Sequence, residues 1–298
     1  MKKPLLLYCA MGTARRRALA GVCALVAMLA GAQGASAEYA VEGPSGTNNF
    51  GCQPSAAHPE PVVLVHGLGA SAPTNWAYIG PRLVAKGYCV FALSYGRDPR
   101  TRLLPYRPGG TIPMEQSSVE LRAFVDRVLG ATSASKVDIV GHSEGTVMPR
   151  HYLERRGGAA DVDDFVALTP LWRGTNVGGA AFLRDFAGPL GLSGPIINLV
   201  ASFCGSCPQF LTGSPYLNDL NSDGEAIPGI DHTNIITRYD ELVIPPTSGV
   251  MRDGGTNIII QDVCPADVSE HVAVAFDPVV AQMIENALDP AHAQPVRC

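Results

Sequence analysis

Three features of the 298-residue sequence predict an α/β fold with a mostly parallel central sheet and helices on both faces. Short apolar runs alternate with longer segments of helical pattern. The runs are continuous in apolar, largely β-branched residues, as in strands buried on both faces. Glycine punctuates most of the junctions. Strands and helices in this alternation imply right-handed crossovers, and ligands in such sheets sit at the carboxyl ends of the strands.

Residues 61–66, Pro-Val-Val-Leu-Val-His, form the first predicted strand, ended by Gly67. Residues 76–86 suit a helix stopped by Gly87, and 89–94 the next strand. A second helix is expected over 115–129, with Gly130 beyond its end. The strand 137–140 leads into a helix over 144–156 that Gly157 and Gly158 close. Strands over 165–168, 234–238 and 257–261 and a last helix over 278–288 complete the pattern. Between about 176 and 221 the alternation breaks, and a segment rich in Gly, Leu, Phe and Pro marks a cap or lid insertion.

With 46% hydrophobic and 16% charged residues the chain is too apolar for disorder, and no Gly-X-Y period is present, which excludes collagen. Residues 1–37 stand apart. Lys2, Lys3 and Arg15-Arg16-Arg17 precede an apolar run and then Ala35-Ser36-Ala37, a small-x-small cleavage pattern. This reads as a signal peptide cleaved before Glu38, by a general or a twin-arginine route, with Met11 an alternative start. The apolar run is about 15 residues, short of the ~20 that span a bilayer, so no membrane anchor is expected. Removing five basic residues and no acids takes the net charge from −5 to −10, which argues against a nucleic-acid partner. The remaining residues 38–298 read as one domain.

Two cysteines leave with the signal. Cys52, Cys89, Cys204, Cys207, Cys264 and Cys298 remain, an even number that suits three disulfides in an exported chain. Cys204-x-x-Cys207 also has zinc-like spacing, but it lacks a second Cys pair or a His-x₃-His partner, so no metal is expected.

Chemistry is carried by Gly141-His142-Ser143-Glu144-Gly145, a G-x-S-x-G placed between a predicted strand and a predicted helix. On that turn a serine is held out at the sheet edge beside a helix N-terminus, where developing negative charge is favoured. The bland reading is a serine that only caps the helix. A nucleophilic serine needs a base, and the base an orienting acid. Of the seven histidines, His271 follows the last strand by a loop. His58 and His66 precede the serine, His142 lies inside the turn, His151 is two turns into the helix, His232 precedes the best acid and His292 lies in a polar tail. Asp240 follows the strand 234–238, whereas Asp231 precedes it and Glu241 is displaced by one. The order Ser143, Asp240, His271 is that of the α/β-hydrolase fold. Two donors are needed for an oxyanion: the backbone N–H of Glu144 and that of Leu68 in the loop after the first strand.

These features resemble the class 2 family of secreted bacterial lipases. The resemblance is carried by Pro61-Val-Val-Leu-Val-His-Gly67, Tyr88-Cys-Val-Phe-Ala-Leu-Ser-Tyr-Gly96, Val137-Asp-Ile-Val-Gly-His-Ser-Glu-Gly145, Arg238-Tyr-Asp-Glu-Leu-Val243 and Glu270-His271, spread over about residues 50–280. It implies carboxylester hydrolysis without a cofactor by a monomer, on acylglycerols or other esters, with a lipid–water interface as a place of action. It also implies the pairs Cys52–Cys89, Cys204–Cys207 and Cys264–Cys298. The apolar residues Phe182, Leu183, Phe186, Leu190, Leu192, Ile196 and Ile197 are then either a lipid-facing lid or a cap buried on the sheet. An acyltransferase or polyester depolymerase would use the same three residues, and a binding protein on this scaffold would not use them.

Overall fold

The computed structural model describes residues 42–177 and 193–298. The predicted signal segment 1–37 and the residues Phe182, Leu183, Phe186, Leu190 and Leu192 lie outside them. Six strands are formed by β1 (Val62–Val65), β2 (Val90–Leu93), β3 (Val137–His142), β4 (Val162–Leu168), β5 (Asp231–Ile236) and β6 (Thr256–Ile259). They make one parallel sheet in the order β2-β1-β3-β4-β5-β6. The helices are α1 (Ala72–Asn75), α2 (Ile79–Ala85), α3 (Met114–Thr132), α4 (Glu144–Arg155), α5 (Ser193–Phe203), α6 (Pro215–Leu220), α7 (Ile260–Val263) and α8 (Pro278–Leu288).

Every residue of β1, β2 and β3 is buried, as strands covered on both faces require. On one face Val62, Leu64, Val90, Ala92, Val140 and Val166 pack with Ile79 and Leu83 of α2 and with Val280 and Ile284 of α8. Alternation sends Val63, Phe91, Ile139 and Phe165 to the other face, which α3 and α4 cover. β2 and β6 are the edge strands of this sheet, and Thr256 and Asn257 of β6 are exposed.

The chain order reverses direction between β1 and β3, which pair side by side with Val65 opposite Gly141. This is the switch point at which an open parallel sheet leaves a crevice beyond its carboxyl ends. The loop after β1 and the turn after β3 flank that crevice.

Element boundaries differ from the sequence reading at several ends: the helix expected over 76–86 begins at Ile79, the strand expected over 165–168 at Val162, and the strand expected over 137–140 runs on to His142. Helix α3 runs through Gly130 to Thr132 and is closed by Ser133 in the left-handed conformation, φ 57°. The fifth strand begins at Asp231 and stops at Ile236, so that Asp231 lies inside it at its amino end. The sixth strand stops at Ile259, and Ile260 and Gln261 turn into α7. Among the described residues the connection between β4 and β5 holds α5 and α6.

Candidate active site

The turn between β3 and α4 is a tight one. Ser143 has φ 55° and ψ −123°, a strained backbone for a residue with a Cβ. Its flanking glycines are required by close approach. A Cβ at Gly141 would lie 2.1 Å from the carbonyl oxygen of Gly145, and one at Gly145 would lie 2.2 Å from that of Val65. The strain is held from both sides: Ser143 N–H donates to Leu168 O at 3.0 Å, and Ser143 O accepts from Thr146 N–H at 2.8 Å.

The structure brings Ser143, His271 and Asp240 together from three separate loops. His271 Nε2 is 2.8 Å from Ser143 Oγ, and His271 Nδ1 is 2.9 Å from both carboxylate oxygens of Asp240. A carboxylate only accepts, so the proton on Nδ1 faces Asp240 and Nε2 is free to accept from the serine hydroxyl. Asp240 and His271 are buried, and Ser143 is half-buried. Asp240 Oδ1 also accepts from the backbone amides of Leu242, at 3.0 Å, and Val243, at 2.6 Å, which fix the carboxylate from below.

Asp240 lies four residues beyond the end of β5, and the two loops that carry it and His271 are joined. Thr237 Oγ1 donates to Ser269 O at 2.6 Å, and Gln261 Oε1 accepts from Arg238 N–H at 2.8 Å. The Glu241 carboxylate does not meet the imidazole of His271; its Oε2 accepts from the His271 backbone N–H at 3.2 Å.

Leu68 and Glu144 both line the cavity into which Ser143 opens. The Glu144 amide is at the first position of α4, where N–H groups have no partner within the helix. The Glu144 side chain turns away from the histidine and is buried against Tyr95 and Ser206. Burial holds its carboxyl well above the usual carboxylate range.

Of the other histidines, His66 and His142 are buried, and His142 lines the cavity. Burial pushes His66 down to about 4 and His142 to about 3, so both are neutral. His66 Nε2 accepts from Tyr95 N–H at 3.3 Å, and its carbonyl accepts from Tyr95 OH at 2.9 Å. The sequence reading did not single out Asn75, Tyr95 or Ser206, because nothing in the local pattern of a lone Asn, Tyr or Ser announces a long-range contact.

The cavity has a volume of about 570 Å³ and is lined mainly by apolar side chains, Leu171, Val177, Phe210, Leu211 and Val243 among them. Such a lining suits an apolar ligand held by few polar groups. Leu68, Leu242, Val272 and Phe276 line it and are also exposed, so its rim is apolar as well.

The three expected cysteine pairs are present as disulfides, Cys52–Cys89, Cys204–Cys207 and Cys264–Cys298. Among the described residues no cluster of His, Cys, Asp or Glu could hold a metal ion, and no helix is long and apolar enough to cross a membrane.

A wholly parallel sheet, a strained serine turn at its switch point and a Ser–His–Asp chain of contacts define an α/β-hydrolase. Residues 59–284 match the class 2 lipase family, and the chain belongs to that family of carboxylic ester hydrolases. Lipase B of Aspergillus fumigatus is similar in fold, with a TM-score of 0.64 and 19% identity over 87% of this chain and 57% of that one. Lipase BlEst2 of Bacillus licheniformis, in its propeptide form, gives a TM-score of 0.54 and 14% identity over 83% of this chain and 52% of its own. The chain therefore spans just over half the length of these two lipases.

Proposed function

We propose that the protein is an exported serine carboxylester hydrolase, a triacylglycerol lipase, that works through an acyl-enzyme on Ser143. The observation that carries this reading is the 2.8 Å contact of Ser143 Oγ with His271 Nε2 at the floor of an apolar cavity. Ser143 Oγ attacks the ester carbonyl carbon while His271 Nε2 takes its proton, and Asp240 stabilises the imidazolium. The amides of Leu68 and Glu144 hold the oxyanion. When the tetrahedral intermediate collapses, the alcohol leaves with the proton from His271. Water, deprotonated by the same histidine, then releases the carboxylic acid and restores the serine.

An acyl chain fits the apolar lining, and the exposed Leu68, Leu242, Val272 and Phe276 favour a substrate delivered from a lipid surface. Leu199 and Phe203 of α5 are exposed too. Three disulfides support an oxidising destination, and with it the reading of residues 1–37 as an export signal and 38–298 as one catalytic domain whose 176–221 segment is the cap.

Replacing Ser143 with Ala tests the reading. Hydrolysis of p-nitrophenyl butyrate and labelling by a fluorophosphonate should both be lost, and retention of either overturns it. A series of p-nitrophenyl esters beside a triglyceride emulsion then defines the acyl chain. Faster turnover of polymer films than of emulsions would make the enzyme a depolymerase, and preference for alcohols over water an acyltransferase.

A further inference from the structure

Two loops outside the Ser143–His271–Asp240 set meet behind the cavity and touch both proposed oxyanion donors. Gly109 exchanges two backbone hydrogen bonds with the loop that carries Leu68: Gly69 N–H donates to Gly109 O, and Gly109 N–H to Ala70 O, both at 2.9 Å. The next residue, Gly110, accepts at its carbonyl from Ser206 Oγ at 2.5 Å, and Gly205 N–H donates to Thr111 O at 2.7 Å. Gly205 and Ser206 are the two residues enclosed by the Cys204–Cys207 disulfide, and Ser206 is fully buried. Ser206 Oγ lies 3.3 Å from Glu144 Oε2. Gly110 packs flat on that carboxyl, since a Cβ there would lie 2.9 Å from Glu144 Oε2.

Counting hydrogens fixes how the contact is made. Ser206 has one hydroxyl hydrogen, and the Gly110 carbonyl at 2.5 Å takes it. Tyr95 likewise gives its hydrogen to His66 O at 2.9 Å, leaving Glu144 Oε1 at 3.5 Å. The hydrogen between Ser206 Oγ and Glu144 Oε2 therefore comes from the carboxyl itself. An ionised carboxylate in this buried position would be left facing two oxygens whose hydrogens are spent elsewhere, at a large desolvation cost.

We infer that Glu144, through its side chain, and Ser206 are positioning residues: a neutral Glu144 carboxyl bonded to Ser206 fastens the Cys204–Cys207 loop to both oxyanion donors. The Glu144 amide is held directly. The Leu68 amide is held through Ser206, Gly110 and the paired backbone of Gly109. Neither side chain touches the substrate. Their effect falls on where two N–H groups point when charge develops on the carbonyl oxygen, a step sensitive to tenths of an ångström. The inference rests on the serine-hydrolase reading given above.

The test measures kcat and KM per titrated active site on p-nitrophenyl butyrate, together with the inhibition constant of a trifluoromethyl ketone whose adduct carries the oxyanion. Ser206→Ala should lower kcat by about 10- to 100-fold and weaken the ketone by a similar factor, with KM moved by less than about threefold. In Ser206→Ala/Glu144→Ala the loss should be smaller than the sum of the two single losses, because the Ser206–Glu144 contact is removed in both. Glu144→Gln, which keeps a neutral donor of the same reach, should exceed Glu144→Asp by at least about tenfold in kcat. The inference is overturned by wild-type kcat and ketone affinity in folded Ser206→Ala. If that variant does not fold, equal activity of Glu144→Gln and Glu144→Asp overturns it. Ser143→Ala separates the two levels: turnover in Ser143→Ala sinks the hydrolase reading itself, whereas an inactive Ser143→Ala beside an unaffected Ser206→Ala sinks only the positioning role.

Discussion

The imidazole Nε2 of His142 lies 2.9 Å from the backbone carbonyl oxygen of His271. A carbonyl only accepts, so the ring proton sits on Nε2, and the residue before the nucleophile grips the loop that carries the base. On its other side the ring lies against Asn75, whose Oδ1 is 2.9 Å from His142 Nδ1 and accepts from Gly67 N–H at 3.1 Å. The serine turn and the histidine loop are thus linked through the buried His142, which packs against Asn75 beside the loop after β1.

His142→Leu removes this grip and leaves the His271 carbonyl without its partner. We expect kcat on a soluble ester to fall by roughly tenfold or more, because the Nε2–Oγ alignment loosens. Active-site titration with a fluorophosphonate separates this from loss of folded protein: titrated sites should remain while the rate per site drops.

Asp240→Asn should cost far more. The Asn oxygen would continue to accept from the amides of Leu242 and Val243, which turns its NH₂ toward His271 Nδ1. The histidine would then carry its proton on Nε2, facing the serine it must deprotonate. A fall in kcat of about 10³- to 10⁴-fold is expected, read in steady-state hydrolysis of p-nitrophenyl butyrate.

The fold and the three candidate residues were legible because each is announced locally. Unbroken apolar runs mark buried strands, the glycines around Ser143 mark a turn that admits no side chain, and Asp240 and His271 follow strands in a fixed order. Helix ends were less legible: a glycine looked like the stop for α3, yet Gly130 is tolerated inside the helix and Ser133 closes it. What could not be read at all were contacts set by packing across the sheet. Asn75 meets His142 across 67 residues, and Ser206 meets the carboxyl of Glu144 across 62, and no periodicity carries such information. Glu144 looked like a helix residue beside the nucleophile, and its burial against Ser206 appears only once the Cys204–Cys207 loop is in place.

At the opposite end of the sheet, the carboxyl of Asp138 is buried, with Oδ1 accepting from Asp164 N–H at 3.2 Å. Burial, and then the charge of Asp164, pushes Asp138 up to about 8, from an ordinary value of 3.8. The native state therefore binds a proton that the unfolded chain has already lost. Its stabilising effect is full below pH 3.8 and is lost progressively as pH rises to about 8. Asp138→Asn keeps a neutral group of the same shape and should flatten this dependence. Urea midpoints at pH 5 and pH 9 are the check: the wild type should lose on the order of 4 kcal/mol more than the variant over that interval.

The three disulfides should divide between stability and catalysis. Cys52–Cys89 and Cys264–Cys298 close loops with separations of 37 and 34 residues, and Cys204–Cys207 one of 3. Constraint of the unfolded chain scales with the logarithm of loop length, giving about 4 kcal/mol for each long loop and about 2 kcal/mol for the short one. Replacing each pair with alanines and measuring urea unfolding should reproduce that ranking. Catalysis should follow a different order, because Cys207 lines the cavity and the short loop carries Ser206. The Cys204→Ala/Cys207→Ala protein should be the most stable of the three variants and have the lowest kcat per titrated site. If kcat instead falls in step with stability across the three pairs, the short loop acts only as a staple.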